Sequence, residues 1–125
     1  MPLLECVPNF SDGRDPAVAA GIQAAIRATS GVRLLDWHSD RDHDRSVATF
    51  VGEPAALESA AFAAIARAVR SIDLTRQSGV HPRIGAADVC PFVALDPADR
   101  PRAIASAHAL GKRVGAELGL PVYFY

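Results

Sequence analysis

Cysteine, net charge and long apolar runs are all in short supply, and each shortage removes a class of protein. Two cysteines in 125 residues cannot staple a small secreted scaffold. Cys6 and Cys90 both fall in predicted strands, which reads as buried free thiols in a reducing cytoplasm rather than as a disulfide. The formal net charge is -1, so neither a basic face for nucleic acid nor an acidic tail is implied. The N-terminus has no basic segment followed by an apolar run, and no signal peptide is read. The longest apolar stretches are Ala-rich helix faces broken by Arg and Glu, so no membrane span is expected. No Gly-rich phosphate loop, Gly-x-Ser-x-Gly, Cys-x-x-Cys or zinc-finger spacing occurs. Internal repeats and low-complexity segments are missing too.

What remains is an apolar chain of single-domain length, spanning 1–125. Half of its residues are hydrophobic, and a chain this size buries roughly two thirds of its unfolded surface. A slightly positive mean hydropathy hints at a covered face. The stretch 3–9 reads as a strand that stops at Pro8, which has no N–H for the ladder. A turn follows at 10–14, then a helix with Asp15 as N-cap and Pro16 in its first turn, ending at Gly31. Strands at 32–39 and 46–51 flank the charged turn 40–44 and form a hairpin. Glu53-Pro54 opens a second helix with its apolar stripe on Leu57, Ala61, Ala64, Ile65, Ala68 and Ile72. A strand at 88–95 carries Pro91, which marks an edge or an irregularity. Pro101 starts a third helix, on which Gly111 and Gly115 allow close approach, and Gly119 stops it. A short strand at 122–125 closes the chain, with no polar tail, as if the sheet expected more chain or a partner. The order predicts an α+β fold: a ferredoxin-like βαββαβ sandwich with an extra αβ unit, helices on one face of a mixed sheet. A doubly wound fold fits less well, because the hairpin breaks the β/α alternation.

Chemistry concentrates in two turns. The stretch 78–92 reads Ser-Gly-Val-His-Pro-Arg-Ile-Gly-Ala-Ala-Asp-Val-Cys-Pro-Phe. Pro82 fixes its own φ and pushes His81 toward extended backbone, so His81 and Arg83 are offered from a stiff connection. An imidazole whose ordinary pKa lies near 6.5 suits acid–base work, and a guanidinium two residues away suits a carboxylate. A loop imidazole bonded to backbone and a solvated Arg remain the plainer readings. The second turn, 36–44, copies the first ligands of a calcium loop with Asp40, Asp42 and Asp44. Arg45 then stands where the loop needs Gly, and Val51 where it needs Glu. A capped hairpin turn, or an anion site using Arg45, fits better. His108 sits beside the core stripe of its helix and reads as structural.

Four segments together carry a resemblance. They are Glu5-Cys-Val-Pro-Asn-Phe-Ser-Asp-Gly-Arg14, Arg45-Ser-Val-Ala-Thr-Phe-Val-Gly52, Gly79-Val-His-Pro-Arg-Ile-Gly-Ala-Ala-Asp-Val-Cys-Pro-Phe92 and Gly119-Leu-Pro-Val-Tyr-Phe-Tyr125. In this order and spacing the chain resembles the N-terminal subdomain of glutamate formiminotransferase. That resemblance implies a transferase moving a formimino group from N-formimino-L-glutamate to tetrahydrofolate, the acceptor substrate, in histidine degradation, without a metal. It places the catalytic imidazole on His81 and substrate contacts on Arg83, Arg45, Asn9 and Asp44. It implies a second subdomain packed on the sheet, supplied by further chain, a separate chain or a second copy. One position departs: Asp44 stands where the family pattern carries Asn. A carboxylate there accepts but cannot donate, and could pair with Arg45 instead. Two other readings use the same residues. One is a non-catalytic folate-binding or assembly module that pairs through its exposed sheet face. The other is an amidine- or formyl-transferring relative with a different acceptor.

Overall fold

The computed structural model describes residues 2–73 and 85–125. His81 and Arg83 therefore lie outside the described residues.

Helix α1 (Pro16–Arg27) starts where the Asp15 carboxylate accepts from the Ala17 N–H at 2.9 Å, satisfying one of the first-turn donors. Val18, Ile22 and Ile26 form its buried stripe. It ends at Arg27, earlier than Gly31, because Gly31 adopts φ 84° in the turn that follows. Helix α2 (Pro54–Ser71) buries Leu57, Ala60, Ala61, Ala64, Ile65 and Ala68. Helix α3 (Arg100–Leu118) buries Ala103, Ser106, Leu110 and Val114 and ends on Gly119 at φ 65°. Ser106 is its one polar core residue, and its hydroxyl donates to Glu58 of α2 at 2.7 Å.

Among the described residues, six strands make one sheet. The hairpin joins β3 (Val32–Asp40) to β4 (Arg45–Gly52), as expected. The other edge of β4 pairs with β1 (Leu4–Cys6) and β2 (Asn9–Phe10). Beyond these, β1 pairs with β6 (Phe92–Ala94) and β2 with β5 (Ala87–Val89). Pro8 splits the first strand and Pro91 splits its neighbour, and the two breaks lie side by side. There the Val7 N–H donates to the Pro91 carbonyl at 3.1 Å. Two prolines that cannot join the ladder thus interrupt adjacent strands at one level, and the sheet curls there.

Each described strand pair is antiparallel, which corrects the expectation of a mixed sheet. The reason is that each connection passes a neighbour. Helix α1 leads from β2 to β3 with β4 between them, and α2 leads from β4 to β5 with β2 between them. Strands running the same way are therefore never adjacent.

The helices share one face of this α+β sheet. There Leu4, Cys6, Phe10, Ala48 and Phe50 meet the buried stripes in one cluster. The strand expected at 122–125 does not form, so the extra unit contributes a helix only. Phe124 stacks on His108 at 4.3 Å instead. A Cβ on Gly111 would lie 2.6 Å from its ring, so the bare backbone of α3 admits the segment. An apolar run can find its partners across a helix as readily as along a sheet edge. Cys6 and Cys90 are free thiols, 3.6 Å apart at the proline break. Burial above all, then the neighbouring Cys90 thiol, raises the Cys6 pKa well above the usual thiol value. Among the described residues, no helix is long and apolar enough to cross a membrane.

Candidate functional site on the open sheet face

The period of two along β4 sends Ser46, Ala48 and Phe50 to the helices and Arg45, Val47, Thr49 and Val51 to the other face. Register carries the partners with them. Glu5 and Val93 share the row of Val51, and Asn9 and His38 share the row of Val47. No described helix packs on this face.

Arg45 organises it. Its Nε donates to Asn9 Oδ1 at 3.1 Å and its Nη1 to Asp88 Oδ2 at 2.8 Å. The Arg45 and Asp88 side chains are only 13% and 6% exposed. One guanidinium therefore ties β4 to β2 and to β5 through two directed, charge-assisted bonds. Asn9 and Arg45, both expected at the site, are brought together.

Asp44 faces elsewhere. It sits at φ 51°, a left-handed conformation that Asp and Asn tolerate better than most residues. Its buried carboxylate accepts from the Gly13 N–H at 2.9 Å and lies 3.5 Å from Arg14 Nη1. The expected pairing of Asp44 with Arg45 gives way to these two pairs, because consecutive residues at the start of a strand point apart. Asp44 thus acts on the turn 10–14. That turn is bonded throughout. Asp12 Oδ1 accepts from the Arg14 and Asp15 N–H groups, each at 2.9 Å. Ser46 Oγ donates to the Asp12 carbonyl at 2.6 Å, so its own oxygen is left to accept from Ser39 Oγ at 2.8 Å. Ser39 in turn accepts from Trp37 Nε1 at 2.9 Å. The turn also holds the chain entering β5. Ser11 donates through Oγ to Gly85 O at 2.7 Å and through its N–H to Ala86 O at 2.9 Å.

Gly13 is where this packing is tightest. A Cβ there would fall on the Asp40 carbonyl and 2.5 Å from Arg45 N, both backbone atoms. Gly13→Ala is expected to cost about 1–3 kcal/mol, since the hairpin turn must move to admit a methyl group. A thermal melt checks it, and an unchanged midpoint would refute the close packing described.

The acidic turn resolves into capping. Asp40 accepts from the N–H groups of Asp42 and His43 at 2.9 and 3.1 Å, and His43 Nδ1 lies 2.8 Å from its Oδ2. The His43 backbone N–H first, then its ring, lowers the Asp40 pKa. That contribution is present above the ordinary carboxylate range and fades as pH falls through the lowered value. Among the described residues, no three His, Cys, Asp or Glu side chains gather as a metal would need.

Asp88 is the member of this bonded group that sequence reasoning passed over. Its one signal is a lone acid inside an otherwise apolar strand segment, Ala87–Val89. Its partner stands 43 residues away, and only the β2–β5 pairing brings them together.

Three of the four resemblance segments now supply Asn9, Arg45 and Asp88 to one bonded group. Residues 3–125 match the family described as "Formiminotransferase domain, N-terminal subdomain". The chain belongs to this family. It is 49% identical over 125 residues to a glutamate formimidoyltransferase of Thermoplasma acidophilum, covering all of this chain and 41% of that protein. It is 41% identical over 123 residues to the enzyme of the same name from Streptococcus pyogenes, covering 98% of this chain and 41% of that one. Against the formimidoyltransferase-cyclodeaminase of Gallus gallus it is 44% identical over 123 residues, 98% of this chain and 23% of the relative. The formiminotransferase N-terminal subdomain thus spans well under half the length of these curated relatives.

Proposed function

We propose that this chain is the N-terminal half of a glutamate formimidoyltransferase, moving a formimino group from N-formimino-L-glutamate to tetrahydrofolate in histidine degradation. The observation that carries this reading is the convergence of Asn9, Arg45 and Asp88 on the sheet face that no described helix covers. Donor and acceptor both bear glutamate carboxylates, which suit the guanidinium groups of Arg45 and Arg83. Asn9 orients Arg45 within this site, and Asp44 shapes the neighbouring turn. His81 is the proton carrier. The folate nitrogen attacks the formimino carbon and forms a tetrahedral intermediate. One proton leaves that nitrogen and one reaches the departing glutamate amine. A single imidazole can serve as base and then as acid.

A second subdomain covers the open face and completes the folate site. The half-buried Val47 and Val51 and the exposed Val93 support such a cover. Taking β1–β2 and β5–β6 each as one interrupted strand supports reading the sheet as a ferredoxin-like sandwich. The setting is the cytoplasm, where Cys6 and Cys90 stay reduced. The same apolar strip favours a second reading, an assembly module without catalysis. Formimino transfer to tetrahydrofolate, assayed with the second subdomain supplied, separates the two. Transfer is the expected result, and a folded, completed protein that transfers nothing overturns the transferase reading.

A further inference from the structure

We propose that Asp88 is a positioning residue, holding the Arg45 guanidinium in the orientation that receives a substrate carboxylate. The inference rests on the transferase reading above and deepens it.

A guanidinium on a long stem can roll about its own axis and swing in its plane. Here both freedoms are removed from different directions. Asn9 on β2 takes the Nε–H at 3.1 Å, and Asp88 on β5 takes an Nη1–H at 2.8 Å. Together with the stem on β4, these bonds fix the group at three points, each on a different strand. A planar group held this way meets a carboxylate with directed N–H bonds at little further ordering cost. The Asp88 carboxylate is 6% exposed and Arg45 13% exposed, so water competes little for either. Asp88 also balances the charge of Arg45. What it contributes to substrate binding is therefore orientation and not added attraction. That makes its role separable: an amide of the same shape keeps an acceptor oxygen for Nη1, whereas a methyl group keeps nothing.

The experiment uses the full-length transferase. Asp88→Ala is expected to raise KM for formiminoglutamate about 10–100-fold with a smaller change in kcat, the loss typical of a misplaced binding group. Asp88→Asn is expected to recover most of it. In parallel, the Arg45 Nη resonances should show hindered guanidinium rotation in the wild type and in Asp88→Asn, and averaging in Asp88→Ala. Wild-type KM in Asp88→Ala overturns the proposal. So do equal KM losses in both variants with the Arg45 resonances unchanged. A wild-type protein that transfers no formimino group fails the transferase reading, and the resonances then test the Asp88–Arg45 coupling by themselves.

Discussion

His81→Ala in the completed transferase is expected to lower kcat by about 10²–10⁴-fold, the usual contribution of a positioned acid–base group, while folate binding changes little. The asymmetry follows from the role. A proton carrier acts on the nitrogen atoms that exchange the one-carbon unit, so its loss is felt in the transition state more than in the bound ground state. Exogenous imidazole should restore part of the lost turnover. His81 lies outside the described residues, and both flanks of its segment are anchored. Ile72 is buried as the cap of α2 and bonds back to Ala68 at 2.8 Å. Gly85 and Ala86 are tied to Ser11. Wild-type turnover in His81→Ala would remove the assignment.

Local signals carried most of the elements. Asp15-Pro16 and Glu53-Pro54 marked helix starts, and apolar spacing placed Leu57, Ala61, Ala64, Ile65 and Ala68 on a buried face. These features act within one or two turns of chain, so sequence order alone reveals them. Pro91 was legible as an edge or an irregularity, but Pro8 was read as a strand end, whereas the strand resumes at Asn9–Phe10. That the two prolines interrupt the sheet at the same level was not legible, because the alignment belongs to the β1–β6 and β2–β5 pairings. The segment 122–125 was misread because β-propensity describes fitness for any half-buried surface, and Phe124 found one on α3. The candidate site divides along the same line. Asn9 and Arg45 could be named from their motifs. Asp88 could not be joined to them, and Asp44 was given to its sequence neighbour, because pairing among side chains is decided by strand register and not by proximity in the chain.

Arg45 makes the sharpest demand on that register. Arg45→Met is expected to cost about 1.5–3 kcal/mol of stability, since it removes a charge-assisted bond at 2.8 Å from a nearly buried carboxylate. Part of the loss should also come from the bond to Asn9. Thermal or urea unfolding reads the change directly, with a fall in midpoint of several degrees. Pairing the substitution with Asp88→Leu should return much of the stability, because two apolar side chains replace two desolvated charges and leave no uncompensated one. Transfer activity should not return with it. An Arg45→Met protein as stable as the wild type would show that water reaches the pair freely, against the burial described. A double variant that regains both stability and substrate affinity would show that the guanidinium braces three strands and does nothing more. Stability restored without affinity is what separates a buried ion pair kept for the fold from one kept for its ligand.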